Sequence, residues 1–400
     1  MNDERWLLPA GIDEVLPPQA AELEALRRAL LDLYMGWGYE LVMPPFIDYL
    51  DSLLTGTGRD LDLQTFKITD QLSGRLLGVR ADMTPQVARI DAHQFRREAP
   101  TRLCYLGTVL HTRTDGFAGT RSPLQIGAEI YGHDGPESDV EILRLLVETL
   151  ETAGIASAYL DLGHVGVYRG LAYEAGLSRT NEMRLFDALQ RKAKPEIADL
   201  IVDAGVGGAI GDMLLALPDL NGDDALERAG SALHRAGAPV QAALDRLRRV
   251  ADELARWLPN LPVHFDLAEL RGYTYKTGVV FAAFVPGWGL EIARGGRYDD
   301  IGSVFGRARP AVGFSTDLKG LTALAERGGG PVADDAGAVL APWDADPALS
   351  AEIARLRAAG RRVIHELPGQ PGAVAELGCG ERLARTDAGW TLRPLREPAD

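Results

Sequence analysis

Leu23, Leu26, Leu30 and Leu33 recur at three- and four-residue spacing, so the chain from Pro18 to about Tyr34 reads as a helix with one apolar face. "GWGYE" ends that helix and opens a strand, "YELVMPP", which must stop at Pro44-Pro45 because proline has no N–H for a sheet ladder. A hairpin-like pair follows around "TFKI" and "RLLGV". In "MTPQVARIDAHQFRRE" the types at Thr84 and Pro85 are those of a helix N-cap and a first helical residue. Residues 103–132, "LCYLGTVLHTRTDGFAGTRSPLQIGAEIYG", predict two strands joined by a long glycine-bearing loop. On the second strand Leu124, Ile126, Ala128 and Ile130 share one face and Gln125, Gly127 and Glu129 the other. An amide and a carboxylate flanking a glycine gap suit the floor of a small-molecule pocket. Val140, Leu143, Leu146, Val147 and Leu150 then stripe a helix from about Pro136 to Ala153.

From about Gly170 to Pro259 the pattern changes to Ala- and Leu-rich helices, broken at Pro195, Gly205 and Gly237, with no convincing strand. Leu244, Leu247, Val250, Leu254 and Trp257 form the stripe of the last one. Strand character resumes in "VHFDLAEL", "GVVFAAFVPG", "GLEIARGG" and "PAVGFS". Strands interrupted by helices and then resumed predict an α+β fold: one large antiparallel sheet flanked by helices and carrying a helical insertion. "RGGGPVADDAG" has linker composition, and a small α/β unit follows it. The expected divisions are 1–169 and 260–326 for the two parts of the core, 170–259 for the insertion and 334–400 for the C-terminal unit.

The 400 residues carry a formal charge of −15, which argues against a broad nucleic-acid surface. The opening "MNDERWLLPAG" lacks the apolar core of a secretory signal, and no apolar run reaches the ~18 residues of a membrane span. Cys104 and Cys379 stand far apart and make neither a disulfide framework nor a zinc site. The cytoplasm is the expected location, with no nucleic-acid or membrane partner.

Four polar segments fall at strand ends or faces: "RADMTP", "LQIGAE", "LRGYTYKTG" and "RGGRYDD". Asp82, Thr84, Gln125 and Glu129 offer acceptors and Arg271 offers a guanidinium fork, the combination a free amino acid needs for its ammonium and carboxylate. The plainer alternative is a set of separate surface and capping groups, with Thr84 explained as an N-cap. No P-loop, HExxH or GxSxG pattern is present, and Asp82, Asp91, His93 and Glu98 lack the spacing of a metal site, so no metal or cofactor is expected.

These segments also carry a resemblance. "AGIDEVLPPQAAELEALRRALLDLYMGWGYELVMPPFIDYLDSL" resembles the first motif of class II aminoacyl-tRNA synthetases, which forms their dimer interface. "VRADMTPQVAR", "LQIGAEIYGHDGPESDVEIL", "LRGYTYKTGVVF" and "RGGRYDDIGSVFGRARPAVGFSTDL" are similar, in order and spacing, to histidyl-tRNA synthetase across residues 9–325. The synthetase grips the α-phosphate of ATP with a motif 2 arginine; the matching stretch here reads Leu110, His111, Thr112, Arg113. The arginine that ends motif 3 falls at Gly320, and Lys319 stands one position earlier, where the helix would aim it elsewhere. Adenylyl transfer depends on positioning and charge stabilisation, so loss of both clamps should remove it.

The amino-acid side of the pocket persists, with Asp82 as a shorter acid where the synthetase has glutamate, and with Tyr275 and Lys276 in place of paired tyrosines. Only about 70 residues follow the linker, fewer than the synthetase's anticodon-binding domain. A synthetase-like chain with this combination resembles the regulatory subunits of ATP phosphoribosyltransferase. The resemblance implies a catalytically inactive subunit in a hetero-oligomer with a short-form catalytic subunit, built on a homodimer and responsive to L-histidine. It implies Asp82, Thr84 and Gln125 on the histidine ammonium, Arg271 on its carboxylate, and Glu129 with Tyr275 on its imidazole. A divergent histidyl-tRNA synthetase or other amino-acid-activating ligase, or a pocket adapted to another ligand, stays open at this point.

Overall fold

Helical and strand periodicities become elements at nearly the expected places. The computed structural model describes residues 6–55, 59–114, 119–327, 337–369, 376–387 and 389–395. Helix α1 (Gln19–Gly36) buries Leu30 and Tyr34, and β1 (Glu40–Val42) ends just before the two prolines. Strands β2 (Ile47–Tyr49), β3 (Phe66–Thr69) and β4 (Leu76–Val79) form a small antiparallel sheet in the order β2-β4-β3, with short helices α2 (Leu50–Leu54) and α3 (Arg59–Gln64) between β2 and β3. Helix α4 (Thr84–Arg89) widens into a π-helical turn over Ile90–Phe95.

Thr84 is not an N-cap. It is the first helical residue, the preceding position is Met83, and the Thr84 hydroxyl turns toward the sheet. Asp82 takes over the capping geometry by accepting from the Thr84 backbone N–H at 3.2 Å. A carboxylate two residues upstream satisfies the orphan amide, which releases the hydroxyl for other contacts.

Strand β5 (Thr101–Thr108) pairs antiparallel with β6 (Leu124–Tyr131), placing Leu103 opposite Glu129, Tyr105 opposite Gly127 and Gly107 opposite Gln125. The two-residue alternation holds. Ile126, Ala128 and Ile130 are buried with Leu143 and Leu146 of α5 (Pro136–Thr152), while Leu103 and Tyr105 pack on the opposite face with Met83 and Val87. The tip of the β5–β6 loop, residues 115–118, lies outside the described residues.

Beyond α5 come β7 (Tyr159–His164) and the helices α6 (Val165–Glu174), α7 (Arg179–Gln190), α8 (Lys194–Asp203), α9 (Gly208–Ala216), α10 (Ala225–Ala232) and α11 (Ala238–Trp257). The insertion is not purely helical, because β8 (Asn221–Gly222) adds two residues to the sheet edge beside β9 (Val263–Asp266). β10 (Val279–Phe284), β11 (Glu291–Arg297) and β12 (Ala311–Asp317) complete nine strands in the order β1-β5-β6-β12-β11-β10-β7-β9-β8. The sheet is antiparallel from β5 through β7 but parallel at β1–β5 and β7–β9, so it is mixed at its margins. Leu185, Leu200, Leu244 and Leu247 of the insertion share one core with Leu160, Leu162 and Val280 of the sheet. Trp257, read as the end of the α11 stripe, is 56% exposed and instead packs against the Arg144 guanidinium.

Helix α12 (Leu318–Arg327) closes the first of two compact units, Met1–Gly330 and Pro331–Asp400. Most of the expected linker, residues 328–336, lies outside the described residues. The second unit has β13 (Ala338–Ala341), α13 (Pro347–Ala358), β14 (Val363–His365), β15 (Cys379–Thr386) and β16 (Gly389–Pro394), in the sheet order β14-β13-β15-β16. Val339, Leu349, Ile353 and Leu383 form its core. Among the described residues, no helix is long and apolar enough to cross a membrane.

Candidate functional site

All six residues singled out from the sequence line one cavity of about 680 Å³ on the open face of the large sheet. Gln125 and Glu129 rise from β6, as the alternation predicts. The Glu129 carboxyl, 1% exposed, accepts from the Tyr105 hydroxyl at 2.9 Å, from Thr84 Oγ1 at 3.3 Å and from the Tyr298 hydroxyl. Gln125 joins this group to the loop before α4. Its Nε2 donates to Asp82 Oδ1 at 2.8 Å, and its Oε1 accepts from the Met83 N–H at 3.1 Å. Asp82, Thr84, Gln125 and Glu129 thus form one connected acceptor wall rather than separate surface groups.

Glycines make room for that wall. A Cβ at Gly127 would meet the Tyr105 hydroxyl, and one at Gly313 would fall on Glu129 Oε2. Burial pushes the Glu129 carboxyl up to about 8, against the opposing pull of its Tyr298, Tyr105 and Thr84 hydrogen bonds. The carboxyl is therefore costly to ionise where it stands.

The donor side comes from the segment after β9 and from β11. Arg271 is 44% exposed at its side chain; its guanidinium is paired with Glu269 at 3.1 Å and with the buried Glu291, which also takes Arg294 at 3.2 Å. A ligand carboxylate reaching Arg271 would have to compete with these acids. Tyr275 borders the cavity and is 37% exposed. Lys276 is buried at 5% exposure, its Nζ donating to the Gly295 carbonyl at 2.5 Å, and burial pulls its ammonium down to about 7.

The insertion supplies a wall that sequence reading missed. Met183, Phe186, Asp187 and Gln190 all border the cavity, and their spacing places them on one face of α7. Phe186 stacks on Tyr273 at 5.2 Å between ring centres, and Arg169 of α6 donates at 2.9 Å to the carbonyls of both Tyr273 and Lys276. The three-to-four-residue spacing along α7 was visible in the chain; its direction was not. Tyr105 and Tyr298 were missed as well, although the Gly127 gap opposite Tyr105 hinted at a ring crossing the floor.

The two positions that the synthetase resemblance matches to phosphate-binding arginines carry no guanidinium of their own, and Arg121 Nε donates to the carbonyl of the first, His111, at 3.0 Å. His111 is 5% exposed, its Nε2 donates to the Ala81 carbonyl at 2.8 Å, and its Nδ1 has no partner. Gly320 brings no side chain. Lys319 is tied to Asp13 at 2.9 Å and to Ser122 at 3.3 Å. Asp317, which burial pushes up to about 6, adds an acid. The lysine and arginines that line the cavity are Arg271, Lys276 and Arg294. Among the described residues no group of three or more His, Cys, Asp or Glu is placed to hold a metal.

A family model described as "Histidyl-tRNA synthetase" matches residues 11–321, and one described as "ATP phosphoribosyltransferase subunit HisZ C-terminal domain" matches residues 336–393. The ATP phosphoribosyltransferase regulatory subunit of Alkalilimnicola ehrlichii is 60% identical over 396 residues, covering 98% of each chain. The chain belongs to the ATP phosphoribosyltransferase regulatory subunit family. A second relative of the same description, from Thioalkalivibrio sulfidiphilus, is 59% identical over 98% of this chain and 100% of its own. A solved structure from Bacillus halodurans, described as an ATP phosphoribosyltransferase regulatory subunit/histidyl-tRNA synthetase, superposes with a TM-score of 0.81 at 25% identity, covering 93% of this chain and 95% of that one. The fold is that of class II synthetases, and the family's C-terminal model falls on the small unit built around β13–β16.

Proposed function

We propose that this chain is the non-catalytic regulatory subunit of ATP phosphoribosyltransferase and binds L-histidine without activating it. In this reading it works in the cytoplasm, at the first step of histidine biosynthesis, beside a short-form catalytic subunit. Asp82, Thr84 and Gln125 hold the ammonium, Arg271 the carboxylate, and Glu129 with Tyr275 the imidazole. The observation that carries the reading is the connected acceptor wall of Asp82, Thr84 and Gln125 in one cavity with Arg271, together with His111 and Gly320 at the positions where the synthetase resemblance would need arginines. Adenylate formation needs charge stabilisation at those positions.

Regulation requires that histidine prefer one state of the complex, since equal affinity for both shifts nothing. A homodimer through the first motif is part of the proposal, supported by exposed apolar side chains at Met43 (80%) and Ile47 (44%). Calorimetric titration of the purified chain with histidine, beside histidine-dependent exchange of pyrophosphate into ATP, tests the reading. Binding without exchange is expected. Robust exchange would make the chain a ligase, and no binding, alone or with the catalytic subunit, would assign the pocket to another ligand.

A further inference from the structure

The large-sheet register places Glu129, Gly313 and Gly296 in one cross-strand row, running over β6, β12 and β11. Neither glycine has a side chain to fill the floor. The Glu129 carboxyl therefore leans over Gly313, where a Cβ would strike its Oε2. The Lys276 chain lies over the next strand. A Cβ at Gly296 would stand 3.1 Å from its Cδ, and one at Gly272, which has φ +75°, 3.0 Å from its Cδ and Cε. Neighbouring strands lie ~4.8 Å apart, so a buried carboxyl and a buried ammonium confront each other across roughly one strand spacing. No ion pair joins them; Lys276 Nζ donates to the Gly295 carbonyl.

We propose that Lys276 determines which ligand side chain the pocket accepts: its ammonium faces Glu129 over the Gly313–Gly296 floor and admits a ring with an open acceptor nitrogen and no charge. This rests on the histidine reading above. An ammonium has three donors and no acceptor, so it can meet a ring nitrogen only through a lone pair. An imidazolium has none, and its charge would oppose that of Lys276. The uncharged imidazole fits both sides, taking a hydrogen bond from Lys276 at one nitrogen and giving one to Glu129 from the other. A tyrosine at 276 would lack this discrimination, because a phenol both donates and accepts. Lysine and arginine side chains are excluded for the same reason as imidazolium.

Glu269, Arg271, Arg294 and Glu129 face Lys276, and Asp82 faces Glu129, so the pocket titrates in several places at once. The test must cancel those contributions. The affinity of L-histidine is measured by calorimetry against that of 1,2,4-triazolylalanine, whose ring stays uncharged over the range used, from pH 5 to pH 8. Protein titrations act on both ligands, leaving their ratio to report the imidazole alone. In the wild type the ratio should fall close to tenfold per pH unit below the ordinary imidazole pKa of about 6.5. In Lys276→Met it should flatten, because imidazolium is then tolerated opposite Glu129. A lysine that only tied down the Gly295 carbonyl would lower stability on substitution and leave the ratio unmoved.

A wild-type ratio independent of pH would overturn the proposal without any variant, which keeps it falsifiable should Lys276→Met fail to fold. So would an identical acid fall in wild type and Lys276→Met. If histidine fails to bind at every pH, the histidine reading falls and takes this inference with it. Histidine binding with a flat wild-type ratio removes only the role of Lys276.

Discussion

Replacing Glu129 by Gln should make the ligand-free protein more stable while abolishing its response to histidine. Burial lifts the carboxyl from its ordinary 4.5 to about 8, so the folded state holds this proton more tightly than the unfolded chain does. The sign follows. Below about pH 4.5 both states are protonated and the group costs nothing. As pH rises toward 8 the unfolded chain gains from ionising while the folded one does not, and stability is lost. Above 8 the loss levels off. With each pH unit worth about 1.4 kcal/mol, the cost is roughly 3 kcal/mol at neutral pH and roughly 5 kcal/mol above pH 8. A glutamine amide has no proton to lose; its oxygen can accept from the Tyr105 and Thr84 hydroxyls that now meet Glu129 Oε1, and its NH2, in the place of Oε2, can donate to the Tyr298 hydroxyl oxygen. Denaturant unfolding of both proteins from pH 5 to pH 9, without ligand, should show a stability difference that grows with pH in favour of Glu129→Gln. A constant difference, or a wild type more stable at pH 9, would refute the assignment of Glu129 as a carboxyl strained by its burial. Saturating histidine should stabilise the wild type by mass action, ~2.7 kcal/mol at a hundred times the dissociation constant, and leave the variant unmoved.

Gly313→Ala puts a methyl group onto Glu129 Oε2 and should cost ~1–3 kcal/mol in unfolding free energy as well as histidine binding, read by denaturation and calorimetry. Phe186→Ala removes the ring that stacks on Tyr273, and histidine affinity should drop because the segment carrying Arg271 and Tyr275 loses its brace; unchanged affinity would separate α7 from the pocket. Asp139 is fully buried between Arg297 at 2.8 Å and Arg246 at 2.8 Å, so Asp139→Ala strands buried positive charge and should destabilise the first unit by ~3–5 kcal/mol in a denaturant titration.

The chain disclosed this site unevenly, and the reasons are physical. Alternation on β6 placed Gln125 and Glu129 on the pocket face because a strand's period is two whatever surrounds it. Thr84 was misassigned as a cap because local residue types cannot reveal that a carboxylate two positions upstream has taken the orphan amide. The parallel pairings of β1 and β9 depend on which strand lies nearest in space, a long-range outcome absent from short windows. Lys276 looked like an interruption of a tyrosine pair; only the glycines at 272 and 296 show why a long side chain lies flat there. Arg271 was expected as a free fork, and its engagement with Glu269 and Glu291 depends on β11 arriving beside it.

The central claim is that this cavity is where histidine is sensed, and Arg271 tests it most directly. Phosphoribosyl transfer by a short-form catalytic subunit mixed with this chain should be measured across a histidine titration, for wild type and Arg271→Ala. Loss of a charge-assisted contact worth ~1.5–3 kcal/mol predicts that the variant still supports transfer but needs roughly ten to a hundred times more histidine for inhibition. Inhibition of both complexes at the same histidine concentration would contradict the account.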